Sequence, residues 1–140
     1  MARVMIRNIL ILLALVAGFY AGFVWHNKPE VATARFAKHV KKTISAATLQ
    51  TWATNYLSTA SDGPTTNLNL PDTVLRISSE QQPRTWAGCS DSGVKYLELM
   101  YGGGFGHWGL VVGPTNFIFN PTSDLYVLGW VPGIYFWREK

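Results

Sequence analysis

Residues 107–139 read HWGLVVGPTNFIFNPTSDLYVLGWVPGIYFWRE and contain four runs that are rich in β-branched and aromatic residues. Short gaps of Pro, Thr, Ser, Asp and Gly separate these runs. Gaps of this length and composition join neighbouring antiparallel strands. The segment therefore predicts an antiparallel β-meander in the C-terminal part of the chain.

Two segments upstream complete the predicted fold of residues 73–140. Residues 73–78, TVLRIS, alternate between apolar and polar side chains, as a half-buried strand does. Residues 90–101, SDSGVKYLELMY, place Val94, Leu97 and Tyr101 on one face of a helix, with Ser90 or Asp91 as its cap. The sequence thus predicts an α+β fold in which a small sheet packs against one helix.

The predicted domain, residues 73–140, is rich in aromatic side chains. Burial of such rings supplies much of the hydrophobic free energy that a small domain needs. One face of a small sheet needs fewer rings than this segment holds, and aromatic residues are enriched where proteins meet partners or bilayers. We therefore expect several tryptophans of the chain to contact a partner or a membrane: Trp25, Trp108, Trp130 and Trp137.

Residues 26–60 are predicted to form an amphipathic, basic helical stalk, and residues 61–72, SDGPTTNLNLPD, a linker. Two apolar stripes with different phases run along the helical segment, and a bend near residues 43–45 reconciles them. The stripes need an apolar surface, which either the C-terminal domain or a partner supplies. They consist of Phe36, Val40, Ile44 and Ala47, and of Leu49, Trp52, Ala53, Tyr56 and Leu57.

Residues 9–25, ILILLALVAGFYAGFVW, carry no charge and follow a short basic tail, residues 1–8. A helix of this length spans roughly 25 Å, close to the thickness of the hydrocarbon core of a bilayer. The segment predicts a single transmembrane helix that stays attached as a signal anchor. A cleaved secretory signal is the alternative, with Ala-Thr-Ala at residues 32–34 as the cleavage site.

The orientation of this helix rests on two signals that conflict. Arg3 and Arg7 directly precede the apolar run, which favours export of the C-terminal domain, to the periplasm in a bacterium. The larger number of Lys and Arg residues after the run favours the opposite orientation. We expect the exported orientation, because the tail is so short.

Small residues recur every four positions along the predicted transmembrane helix, at Ala14, Gly18 and Gly22. Such a ridge allows close backbone approach, which is a main source of helix association in lipid. The ridge predicts a contact with the transmembrane helix of another subunit or of a second copy.

The positive charge of the chain is confined to its first part. Residues 1–60 hold seven Lys and Arg residues against one acid, whereas residues 61–140 hold five against seven acids. A nucleic-acid-binding domain would carry the excess on its folded face, so no nucleic-acid partner is expected. Three lysines after the span, Lys38, Lys41 and Lys42, are candidates for contact with anionic lipid head groups.

Few residues offer catalytic or metal-binding chemistry. His26, His39 and His107 are scattered and the chain has one cysteine, so neither a metal site nor an internal disulfide is expected. The glycines at 102, 103, 104 and 106 lack the Lys-Ser/Thr ending of a phosphate-binding loop. A thiol site remains. Cys89 before the predicted helix, His107 opening a strand, and Asn116 or Asn120 on the next predicted strand match the logic of papain-like sites.

The segment GHWGLVVGPTNFIFN, residues 106–120, resembles the His-bearing strand and hairpin of NlpC/P60 and lecithin–retinol acyltransferase-type thiol hydrolases. This resemblance implies a thiol hydrolase or acyltransferase that uses Cys89, His107 and Asn120. In those families, however, the cysteine lies either much further upstream of the histidine or after it.

Two functions are therefore expected from the sequence. The first is a membrane-anchored, non-catalytic accessory subunit of a larger membrane complex, such as a respiratory or photosynthetic one. It would dock through its transmembrane helix and its aromatic domain and would need no cofactor. The alternative is a membrane-tethered papain-like thiol hydrolase or acyltransferase.

Overall fold

The computed structural model describes residues 2–65, 70–78, 82–102 and 106–140. In the first helix it describes the side chain of Ile6 and the side chains from Asn8 onward. Parts of the predicted linker and of the glycine run, including residues 66–69 and 103–105, lie outside the described residues, as do the side chains of Arg3 and Arg7. The elements in chain order are α1 Ala2–His26, α2 Pro29–Thr43, α3 Ala46–Leu57, β1 Gly63–Pro64, α4 Asp72–Leu75, β2 Arg84–Cys89, β3 Lys95–Gly102, β4 His107–Val112, β5 Leu125–Val131 and β6 Ile134–Glu139.

The fold is α+β, with helices first and then a six-stranded antiparallel sheet in the order β1-β2-β3-β4-β6-β5. Three of the four runs of the predicted meander are antiparallel strands, but β6 lies between β4 and β5, so the chain does not run through them in simple order. The cause is the run NFIFN, residues 116–120, which is not a strand. Phe117 is buried and stacks on Tyr96, so the connection after β4 folds over the sheet instead of extending it.

Residues 90–101 form a turn and strand β3, so the predicted helix at this position is wrong. Leu97, Leu99 and Tyr101 are buried and alternate with less buried neighbours, which is the period of a strand. Ser90 and Gly93 form the tight turn before it, in which Gly93 has φ +78° and donates to the Ser90 carbonyl at 2.8 Å. The predicted strand at residues 73–78 is also wrong, because α4 occupies its first half.

Helices α2 and α3 form the layer that packs against the sheet, α2 over β5 and β6 and α3 over β3 and β4. The predicted bend is confirmed: α2 ends at Thr43, and the hydroxyl of Ser45 caps α3 by accepting the Thr48 N–H at 3.1 Å. The apolar stripes of both helices enter one core with the sheet, except for Ala47, which is exposed. The fully buried members of this core include Val40, Leu49, Leu97, Leu99, Leu110, Val112, Ile134 and Phe136.

The opposite face of the sheet, which we call the outer face, is covered in part by the connection after β4. Val111, Phe117 and Trp137 form a second buried cluster there. Trp86 on β2 lies beyond this cover and is 48% exposed, next to the half-buried Glu98 on β3. Burial raises the pKa of Glu98.

Helix α1 extends away from this core. Within it, residues 8–26 are long and apolar enough to cross a membrane, and none of this span is buried within the protein. An N-terminal exposed apolar helix of this kind is consistent with a signal anchor and with a signal peptide. Only Asn27 and Lys28 separate α1 from Pro29, the first residue of α2.

Candidate functional site

The thiol site predicted from the sequence is not assembled in the structure. Cys89 pairs with Lys95 at the start of β3, whereas His107 pairs with Gly102 at the end of the same strand. At about 3.3 Å per residue, the two side chains lie roughly 23 Å apart along β3. Cys89 is an exposed, free cysteine at the end of β2, so no helix N-terminus stabilises its thiolate.

Asn120 does lie near Cys89. Both residues line a cavity of about 170 Å³ beside Tyr96 and Phe117, at the end of the sheet that is remote from His107. The structure thus brings together two of the three residues and leaves them without the histidine that a papain-like mechanism requires.

His107 is instead paired with Glu139, the last residue of the neighbouring strand β6. The backbone N–H of His107 donates to Oε2 of Glu139 at 2.8 Å, and Nδ1 of His107 lies 3.0 Å from both carboxylate oxygens. The two side chains are 33% and 45% exposed. The backbone donor is the main cause that lowers the pKa of Glu139, and the imidazole adds to the effect.

This pair predicts an acid-dependent contribution to stability. Because the pKa of Glu139 is lower in the folded state, the contribution is present above the unfolded pKa of about 4.3 and is lost as the pH falls through the folded pKa. Glu139→Gln should therefore have a lower Tm than the wild type at about pH 6, and the difference should shrink as the pH falls below the unfolded pKa. Thermal melts over this range measure the difference, and a constant difference would contradict the assignment.

An open cleft of about 580 Å³ adjoins this pair, between the end of α1 and the end of the sheet. We call it the juxtahelical cleft. Its lining combines apolar residues of the α1–α2 junction with charged residues of β6 and the residue after it: Phe23, Asn27, Pro29, Gly106, Arg138, Glu139 and Lys140. Only two residues separate α1 from α2, which packs on β6, and the end of α1 therefore lies close to that strand.

Arg138 is the half-buried cation of this cleft. Its guanidinium stacks on the ring of Trp108, at 5.4 Å from the ring centroid. Among the residues that the structure describes, the only ion pair is that of His107 with Glu139, so Arg138 has no carboxylate partner there. Burial and the nearby positive charge of Arg35 both lower the pKa of Arg138.

Arg35 on α2 connects this helix to the end of α1. Its guanidinium donates to the carbonyl of His26 at 2.5 Å and also contacts the imidazole of that residue. This contact satisfies one of the carbonyls that the end of α1 leaves without a helical partner. It also places a second positive charge close to Arg138.

The other predicted contact residues fall into three environments. Ala14, Gly18, Gly22 and Trp25 are exposed on α1, and a Cβ added at either glycine would meet no atom within 4 Å. Lys38, Lys41 and Lys42 are all exposed on α2, and the Lys41 ammonium also lies 5.6 Å from the ring centroid of Trp130. Among the tryptophans, Trp108 and Trp130 are half-buried and Trp137 is only 4% exposed, so the ring of Trp137 packs within the domain.

Sequence reasoning overlooked Arg138 and Glu139, and it gave Phe23 and Trp86 no part in any site. The exposure of Trp86 follows from strand β2, in which Ala87 faces the core and Trp86 the outer face. Within the described residues, no group of three or more His, Cys, Asp or Glu side chains is placed to hold a metal ion.

Comparisons with models of protein families, with curated proteins and with solved structures give no match to this chain.

Proposed function

We propose that this protein is a membrane-anchored, non-catalytic interaction subunit of a larger membrane complex, with its folded domain on the exported side. The observation that carries the proposal is the environment of α1. The large apolar side chains of α1 between Ile9 and Trp25 are each between 45% and 79% exposed. Such an area on a single helix requires lipid or other helices to cover it.

The domain offers further surfaces for a partner protein. Trp86 and Ile118, 48% and 71% exposed, are large apolar side chains outside α1 that remain open to solvent. Strand β5 ends the sheet with the uncharged sequence LYVLGWV, which leaves one row of its backbone groups without a neighbouring strand. Aromatic anchors and open strand edges are common docking features.

The ridge on α1 gives the proposal a direct test. The full chain is extracted in a mild detergent and sized, and the co-migrating proteins are identified. We expect migration well above one chain plus a micelle, and loss of this assembly in Gly18→Leu, because a larger side chain holds the helices apart. Val16→Leu, on the opposite side of α1, is the matched control and should retain it.

Sidedness is measured separately in intact cells by labelling Cys89, which is the only cysteine of the chain and is exposed. A membrane-impermeant maleimide added to intact cells should label the wild type but not Cys89→Ser. Wild-type protein that migrates as a lone chain, or that lacks the first helix when mature, would contradict the proposed function.

A further inference from the structure

We infer that the juxtahelical cleft binds the phosphate of an anionic phospholipid, with Arg138 as its principal contact. The inference rests on the proposed function insofar as α1 must lie in a bilayer for the lipid to reach the cleft. It assigns a ligand to residues of the folded domain, Arg138 above all, and not to the exposed lysines of α2.

The charge of the cleft favours an anion. Glu139, the one carboxylate side chain among the described residues that line it, is already engaged by the backbone and imidazole of His107. Arg138 has no acidic partner among the described residues and lies close enough to Arg35 for the two cations to repel each other. A bound phosphate relieves this repulsion, and the planar guanidinium suits two of its oxygens at once.

The orientation of Arg138 is held before any ligand arrives. The ring of Trp108 lies under its guanidinium, and Trp108 and Arg138 are directly paired residues on β4 and β6. A guanidinium fixed on a strand by stacking loses less conformational freedom on binding than a mobile surface lysine does. This separates Arg138 from Lys38 and Lys42, which are exposed on the surface of α2.

The shape and polarity of the cleft favour a lipid over a free anion. Phe23 and Pro29 line the side that belongs to the helices, and Arg138 lies on the side of the sheet. Phe23 lies in the last turn of the apolar span and Trp25 follows it, so the cleft opens where head groups meet acyl chains. The phosphate would contact Arg138 while an acyl chain runs along α1 past Phe23.

The test measures lipid retention by the full chain. Wild type and Arg138→Gln are purified in a mild detergent with equal amounts of phosphatidylglycerol and phosphatidylcholine, and bound lipid is counted by native mass spectrometry. We expect the wild type to retain phosphatidylglycerol in preference to phosphatidylcholine. Arg138→Gln should reduce this retention about tenfold, as the loss of one charge-assisted contact implies.

Arg84→Gln is the matched control, because Arg84 is exposed on β2, three strands from β6 or roughly 14 Å away. It should retain as much phosphatidylglycerol as the wild type. Arg35→Gln, which alters the second cation, should lower retention by a smaller factor and serves as the test variant if Arg138→Gln does not fold.

Three results would overturn the inference: equal retention by Arg138→Gln and the wild type, equal loss in Arg84→Gln, or displacement of the lipid by millimolar inorganic phosphate. The last result would identify a site for free anions. Failure of the proposed function is observed separately, as a lone chain in the sizing experiment, and does not depend on lipid counts.

Discussion

Val40→Asp is expected to unfold the domain, although Val40 lies outside the segment that was predicted to fold as a domain. Val40 is fully buried where α2 packs on the sheet. The substitution removes an apolar side chain from the core and places a carboxylate there without a partner. We expect a loss of at least about 4 kcal/mol, which is comparable with the whole stability of many small domains.

Urea unfolding of the detergent-solubilised full chain, followed by tryptophan fluorescence, measures this loss. Lys38→Asp is the control, because it introduces the same side chain two residues earlier on the exposed face of α2. It should change the free energy of unfolding by less than about 1 kcal/mol. If Val40→Asp and Lys38→Asp had the same free energy of unfolding, α2 would be a separate stalk and not a layer of the domain.

Gly133→Ala is expected to have the second largest effect. Gly133 occupies the turn between β5 and β6 with φ +88°, after Pro132, which is typical of a type II turn. A Cβ at this position would lie 2.3 Å from the carbonyl oxygen of Pro114, and that backbone cannot move freely. Positive φ and overpacking together should cost about 3 kcal/mol.

The position of this turn explains why the effect extends beyond one hairpin. The N–H of Gly113 donates to the carbonyl of Gly133 at 2.8 Å, and the amide of Gln50 on α3 donates to the carbonyl of Pro132 at 2.9 Å. The turn therefore joins the end of β4, the β5–β6 hairpin and the helical layer.

Gly129→Ala in the same hairpin is the matched control. Its φ is not in the left-handed region, and the nearest atom to an added Cβ is 4.0 Å away, on Tyr135. Thermal melts should show a decrease in Tm for Gly133→Ala that is several times larger than for Gly129→Ala. Equal decreases would show that the turn tolerates a side chain.

The hairpin signals of the sequence predicted three strands of the C-terminal segment correctly, but not their order, and the predicted strand NFIFN does not form. HWGLVV, LYVLGW and IYFWRE became β4, β5 and β6. Turn residues predict that the chain reverses direction, but they do not predict whether the next strand pairs with the strand that precedes the turn. Phe117 made the difference, because its burial against Tyr96 takes the connection across the outer face and leaves the place beside β4 to β6.

Residues 90–101 were ambiguous because two periodicities coexist. Val94, Leu97 and Tyr101 fit a helix, whereas Leu97, Leu99 and Tyr101 fit a strand, and a sequence of this length supports both. Tertiary packing selected the strand, because the sheet needs a central member between β2 and β4. The error carried over to Cys89, whose proposed reactivity depended on a helix that does not form.

The candidate site could not be derived from the sequence for a related reason. Glu139 contacts His107, and Arg138 contacts Trp108, only because β4 pairs with β6. Strand β5 lies between β4 and β6 in the sequence, and no local sequence pattern indicates the register of two strands that are separated in this way. The apolar helix, by contrast, was evident from composition alone, because seventeen consecutive residues, 9–25, carry no charge.

The junction of two residues between α1 and α2 has a consequence for how the protein would respond to its surroundings. A helix in a bilayer that is thinner than its apolar length tilts to compensate. Since Arg35 ties α2 to the last turn of α1 and α2 is part of the core, the sheet would lean through the same angle. In a bilayer, its thickness would thereby change the orientation of Trp86 and of the β5 edge relative to the membrane plane.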